Sequence, residues 1–346
     1  SMSTDRGRIR ITGFDADRVE RREPLSDWTE TRDTETESRW ERAWREFRRN
    51  RSAMVGLYIV AAMSLLAVFA RPVTIAGVTV QPFSLAPYDP GAILYAQGLD
   101  VSAYEAPSLA HPFGTDGSAR DVFSRVLYGG RFSLSIGFIV VFVTAAIGLV
   151  YGAIAGYYGG WVDEVMMRIL DLLFAFPGLL LALIIVAVLG KGYWELVLAF
   201  TAIGWAGYAR LIRGEILKVK ENEYVMAAKA LGARDRRVIF RHVVPNAVAP
   251  LVVQASLSIG TVVIGVAALG FLGLGLPPSS AEWGTMLDQT RQTIVQGPGG
   301  SIPWWVTVFP GGAIFLFVMS MNLIGDGIND ALDAQEGEDV ARGGEV

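Results

Sequence analysis

Few residues in this chain have the type and spacing that chemistry needs. It contains no cysteine, so disulfides, thiolate chemistry and cysteine metal sites are all excluded. The two histidines, His111 and His242, stand far apart in sequence, and neither sits in a metal-ligand spacing. No Ser-His-Asp or metal constellation points to a hydrolase. A phosphate loop is missing too: Gly190-Lys191-Gly192 lacks the upstream glycine and the following Ser or Thr of a G-x-x-x-x-G-K-[ST] cradle. Ion-coupled carriers place ionisable residues deep in their membrane spans. Here Asp171 lies three residues from Arg168, the spacing of a local i, i+3 pair, and Glu195 and Arg131 sit at the ends of apolar stretches. Neither a proton relay nor an ATP site is written into the chain.

What stands out instead is a charged, patterned island at 223–246, EYVMAAKALGARDRRVIFRHVVPN, between two long apolar runs. Tyr224, Ala227, Ala228 and Leu231 fall at i, i+3, i+4 and i+7, one face of a helix. Gly232 follows where a helix end favours a left-handed backbone. Asp235 is placed to cap a second helix from Arg236 onward, which Pro245 prevents from continuing unbroken. The spacing predicts a compact, basic helix–turn–helix. Arg234, Arg236, Arg237 and Arg241 would suit a DNA reader, but apolar stretches on both sides argue against nucleic acid as a partner. Two readings stay open from the residues alone, an amphipathic helix on the bilayer surface and a loop that docks a protein.

The elements that must position this island are those of an integral membrane protein. Of 346 residues, 52% are hydrophobic and only 18% charged, with a mean hydropathy of +0.38. Residues 1–37 are polar with mixed charge and read as a disordered tail. Over 38–52, Trp40, Trp44 and Phe47 recur at helical spacing among arginines, the pattern of an interfacial helix or of one packed on protein. Six apolar stretches are long enough to cross a hydrocarbon core of about 30 Å: 53–70, 132–156, 166–189, 194–212, 247–272 and 306–325. Thirteen Lys and Arg precede residue 53 and nine fall in 210–241, whereas the loop 71–130 has three. By the positive-inside rule both termini and the 213–246 loop face the cytoplasm, and 71–130 faces out. That outer loop is dense in proline, with a strand-like alternation over 74–80, and suits a lid or ledge. His111 within it reads as a surface or hydrogen-bonding histidine. Gly148, Gly152 and Gly156 recur every four residues, which permits close helix packing, within this chain by preference. Pro177 and Pro250 invite kinks. Residues 334–346 read as a second tail.

The island resembles the coupling loop of ABC-importer permeases, whose pattern is E-A-A-x-x-x-G with a later proline. Ala227, Ala228 and Gly232 match, and Met226 stands where that family most often has Glu. Further segments are similar to the second permease subunit of the dipeptide, oligopeptide and nickel importers: GTDGSARDVFSRVLYGGRFSL at 114–134, AGYYGGWVD at 155–163, FLGLGLPP at 271–278, WGTML at 283–287 and NLIGDGINDALD at 322–333. The resemblance implies an all-α membrane protein of six transmembrane helices, the type I importer permease fold with cytoplasmic coupling helices. It implies a non-catalytic subunit in the cytoplasmic or inner membrane, forming half of an import pathway for a peptide-like solute, with nickel or a sugar as alternatives. A secondary transporter or a non-transporting scaffold are the rival classes. The implied partners are a homologous second permease subunit, two ABC ATPase subunits, an extracytoplasmic solute-binding protein and the lipid bilayer. ATP and Mg would be held by the ATPases, and this chain would bind no cofactor. Docking to the ATPase would fall to Glu223, Tyr224, Ala227, Ala228, Leu231, Gly232, Ala233, Arg234 and Asp235. Polar candidates for the pathway are Ser133, Ser135, Thr144, Gln254, Ser256, Ser258 and Thr261.

Overall fold

The computed structural model describes residues 39–75, 77–295 and 303–343. The tail expected over 1–37 lies outside the described residues. Helix α1, Arg39–Arg49, precedes α2, Arg51–Phe69. Phe47 is buried in the main core while Trp44, stacked on it at 5.6 Å, stays exposed. Asn50 caps α2 by accepting the Ala53 N–H at 3.1 Å, and its amide donates to Asp330 Oδ2 at 3.0 Å.

The loop between α2 and α3 holds a two-stranded antiparallel hairpin, β1 (Val73–Ile75) and β2 (Val78–Gln81), where one strand-like run was expected. It ends earlier than the sequence suggests, because α3 spans Val122–Tyr158 and so starts ten residues before the expected apolar stretch. Asp121 accepts the Ser124 N–H at 2.7 Å and fixes that start. At 1.5 Å per residue α3 is about 55 Å long, well over the hydrocarbon thickness, so one end projects beyond it.

The third expected span is two helices, α4 (Gly160–Phe174) and α5 (Gly178–Leu189), bent by 80° at the break. Pro177 has no N–H to give and disfavours a helical residue before it, so the chain turns there. Helix α6 follows at Tyr193–Val219. The island folds into α7 (Glu223–Ala230), α8 (Asp235–Val238), a wide π turn over Ile239–Val243 and α9 (Val244–Ala247). Then come α10 (Ala249–Leu269), a second π turn over Gly270–Leu274, α11 (Trp283–Val295) and α12 (Trp305–Gly343). Pro250 falls in the first turn of α10, where its missing N–H costs nothing, and the chain bends at Val248 just ahead of it, between α9 and α10. Helix α12 continues to Gly343, through most of the expected tail 334–346. Among the described residues, five helices are long and apolar enough to cross a membrane, or six if the bent pair α4–α5 is one span.

The core of the bundle is the seam between α3 and α6. A Cβ on Gly152 would lie 2.5 Å from the Ala209 carbonyl, and one on Gly156 would lie 2.9 Å from Ile216 Cβ. The glycine repeat therefore serves packing within this chain, as its spacing suggested. Helix α12 lies against α2 and α10. Asp171 does not pair with Arg168. Its carboxylate accepts from Arg210 on α6 at 2.7 Å, and Asp163 takes both Nε and Nη2 of Arg213 at 2.5 Å. The i, i+3 partner loses because the helix-to-helix geometry brings an α6 guanidinium onto each carboxylate, as a two-pronged fork at Asp163 and through one N–H at Asp171.

Candidate docking loop

Helix α7 buries one side chain fully. Val225 is fully buried among Val238, Val243, Ala247, Ile216 and Val219. The periodic face read from the sequence points the other way: Tyr224, Ala227 and Leu231 are exposed, with Leu231 at 88% and Met226 beside them also exposed. Ala228 and Ala233 are half-buried, and Glu223, in the first turn, suits the positive end of the helix dipole. The valine was missed because one β-branched residue between Tyr224 and Met226 carries no period of its own.

Gly232 has φ +80°, the left-handed conformation expected of it. Its N–H donates to Lys229 O at 2.9 Å, and the Ala233 N–H donates back to Ala228 O at 3.1 Å. This paired closure satisfies two of the terminal carbonyls of α7 and turns the chain sharply into α8. Arg234 starts α8 through its carbonyl, which accepts from Arg237 and Val238. Asp235 is therefore inside the first turn and is not the cap; its Oδ1 accepts the Tyr157 hydroxyl of α3 at 2.6 Å. Lys229 Nζ lies 4.6 Å from the centroid of the same tyrosine ring. Val244 N–H reaches back to Ile239 O across the π turn, the extra residue being taken up just ahead of Pro245. Arg234, Arg237 and Arg241, all exposed, line an open groove of about 610 Å³ with exposed Phe240. The side chains of Arg236 and His242 lie outside the described residues.

The expected pathway residues do not form one group. Ser133, Thr144 and Ser256 are buried: Ser133 donates to Glu282 Oε1 at 3.2 Å, and Thr144 and Ser256 bond carbonyls of their own helices. Ser135 bonds the Phe132 carbonyl and accepts the Tyr193 hydroxyl at 2.9 Å. Gln254, Ser258 and Thr261 share one open face of α10 at i, i+4 and i+7, with the Gln254 amide donating to Ser258 Oγ at 3.2 Å.

At the other end of α3 sits a buried polar knot that pattern reading did not find. Arg125 has no exposed side-chain surface; it donates to Pro90 O at 2.8 Å and Ser280 O at 3.0 Å. Arg120 forks onto Asp116 Oδ2 at 2.8 Å, Gln289 Oε1 at 2.7 Å and Pro278 O at 3.2 Å. His111 is buried with Nδ1 2.9 Å from Asp121 Oδ1, so it is a hydrogen-bonding histidine. Glu282, fully buried, caps α11: Oε1 accepts from Gly284 N and Oε2 from Thr285 N, both at 2.8 Å. Burial still pushes the Glu282 carboxyl up from its ordinary range, against those hydrogen bonds. The knot fastens the α2–α3 loop and the 275–282 turn to α3 and borders a cavity of about 440 Å³. Segments that contribute to it, 114–134, 271–278 and 283–287, stood out in the sequence, but nothing in their spacing pairs them with one another.

A bundle of apolar helices with an exposed, partly apolar loop between two spans defines a multi-pass membrane protein. Residues 148–336, more than half of the chain, match the family described as binding-protein-dependent transport system inner membrane component, and residues 38–107 match the N-terminal TM domain of oligopeptide transport permease C. The dipeptide transport system permease protein DppC of Alkalihalophilus pseudofirmus is 40% identical over 296 residues, 86% of this chain and 90% of that one. The glutathione transport system permease protein GsiD of Shigella dysenteriae and of Escherichia coli is 42% identical over 294 residues, 85% of this chain and 90% of the relative. The inward-facing MetNI methionine ABC transporter has a similar chain at TM-score 0.48 and 18% identity, over 61% of this chain and 95% of that one. The chain belongs to the ABC-importer permeases of the peptide family.

Proposed function

We infer that this permease subunit imports a peptide-like solute and takes its energy from separate ATPases docked on the α6–α10 connection. The observation that carries this is the outward face of α7. Tyr224, Met226, Ala227 and Leu231 are exposed on a helix that lies outside the spans, while Val225 holds the opposite side to the bundle. A large exposed leucine next to alanines is a surface that fits into a partner's cleft, since small residues permit close approach. Gly232, Ala233 and Arg234 continue that surface, and exposed Glu223 flanks it. Asp235, turned to Tyr157, serves the loop's own geometry.

In this reading both termini and the loop face the cytoplasm, in accord with the excess of Lys and Arg on that side. Two ATPase subunits hold ATP and Mg, and this chain holds no cofactor. A second, homologous permease completes the pathway, and an extracytoplasmic binding protein delivers solute to it. ATP-driven closure of the ATPases moves the loop, and α3 and α6 move with it because the loop's valines share one buried cluster with Tyr157 of α3 and with Ile216 and Val219 of α6. Gln254, Ser258 and Thr261, on the open face of α10, are the polar groups offered to the solute. The names of the two curated relatives, dipeptide and glutathione permeases, support a peptide-like cargo.

Single-cysteine labelling suits a chain with no cysteine of its own. Ala103→Cys should react with an impermeant maleimide from outside whole cells, and Lys229→Cys should react only after permeabilisation; both sites are exposed. In the same background, Leu231→Asp should leave the permease in the membrane at near-normal amount and abolish ATPase co-purification. An ATPase that still co-purifies with Leu231→Asp refutes docking at this face and favours a helix lying on lipid.

A further inference from the structure

Two arms of the loop, α7 and α8, meet one side chain of the bundle. Tyr157 occupies the last turn of α3 and is buried in the same core cluster as Val219, Val225, Val238 and Val243. Its hydroxyl donates to Asp235 on α8 at 2.6 Å, and the ammonium of Lys229 on α7 stands 4.6 Å from its ring centroid. The backbone around it is held from the α6 side as well. Lys220 Nζ donates to the Gly156 carbonyl at 2.9 Å, and Gly156 packs directly on Ile216.

We propose that the Tyr157–Asp235 hydrogen bond, with Lys229 over the ring, is the latch that makes the loop and the end of α3 move as one body. The proposal rests on the docking reading above and names the groups that carry its motion into the spans. Buried valines already hold the loop to the bundle, but apolar contact is non-directional and tolerates sliding. A charge-assisted O–H···O bond is short and directional, so it fixes which way α8 points when α3 moves. The tyrosine reaches both arms across the Gly232 turn, so it sets their mutual angle too. Sequence separation hides the pair: Tyr157 and Asp235 are 78 positions apart.

The test uses the assembled transporter with its binding protein and ATPases, reconstituted in proteoliposomes. Tyr157→Phe keeps the ring, the cation contact and the packing, and removes only the hydroxyl. It should leave permease amount and ATPase co-purification unchanged while solute moved per ATP hydrolysed falls by roughly an order of magnitude, as expected for a lost hydrogen bond to a charged group. Asp235→Leu should do the same, Asp235→Asn, which retains an oxygen acceptor, should lose less, and the double variant Tyr157→Phe/Asp235→Leu should be no worse than either single one. A normal transport-to-ATP ratio in Tyr157→Phe, or losses that multiply in the double variant, overturns the latch. Leu231→Asp run alongside separates the two failures. If it frees the ATPase while Tyr157→Phe transports normally, only the latch is wrong; if it keeps the ATPase bound, the docking reading fails and the latch falls with it.

Discussion

Gly152 and Gly207 are both glycines in long helices of the bundle, yet the same substitution should move stability in opposite directions. Around Gly207 on α6 there is no atom within 4 Å of an added Cβ. Gly207→Ala then only removes the backbone-entropy cost of glycine in a helix, a gain of about 0.5–1 kcal/mol. On α3 the added Cβ of Gly152→Ala would lie 2.5 Å from Ala209 O, 2.9 Å from Ile212 Cβ and 3.0 Å from Arg213 N. Two of these atoms are backbone and cannot rotate away. Reaching ordinary contact means opening the α3–α6 seam by about 1 Å, which also loosens the packing at Gly156 one turn on. Overpacking of this size costs about 1–3 kcal/mol, which outweighs the propensity gain. Gly152→Ala should be less stable than wild type by about 1 kcal/mol, and Gly152→Ile, with three more carbons, by clearly more. Thermal unfolding of the purified chain in detergent, read by circular dichroism, gives the order Gly207→Ala, wild type, Gly152→Ala, Gly152→Ile. If Gly152→Ala unfolds at or above the temperature of Gly207→Ala, the seam is not packed as described.

The Asp163–Arg213 pair joins α4 to α6 with two hydrogen bonds and is half-buried, so it should show real coupling. A double-mutant cycle of Asp163→Asn and Arg213→Gln in the same assay is expected to give about 1–3 kcal/mol, and a value near zero would mean the two helices are held by packing alone. Glu282 supplies the pH dependence. Its folded-state carboxyl is raised above the ordinary 4.5, so the folded chain binds the proton more tightly than the unfolded one. Stability from this group is therefore full at low pH and declines as pH climbs from about 4.5 through the folded-state value. Glu282→Gln should flatten that part of the pH–stability curve, while lowering the curve overall because an amide nitrogen would then face the Thr285 donors. Parallel curves for the two proteins would rule this out.

Much of the loop was legible because its determinants are local. The i, i+3, i+4, i+7 spacing of Tyr224 to Leu231 defines a helical face whatever lies around it, and Gly232 was readable because a left-handed residue after a helix needs no distant partner. Membrane class and the approximate places of five spans followed from run length against bilayer thickness, again a local property. Pro177 marked a break, but its 80° angle depends on what α4 and α5 pack against. Partner choice over long sequence distances belonged to the tertiary structure alone. Asp171 was read against Arg168 and binds Arg210; Asp235 was read as a cap and binds Tyr157. In each case the local partner is an adequate one in isolation. The folded chain replaces it because each carboxylate goes to whichever donor the packed helices bring to its oxygens, and the packing of α3, α4 and α6 brings one from a distant part of the chain. One-dimensional spacing specifies the face an element presents, and only the packed bundle decides what that face meets.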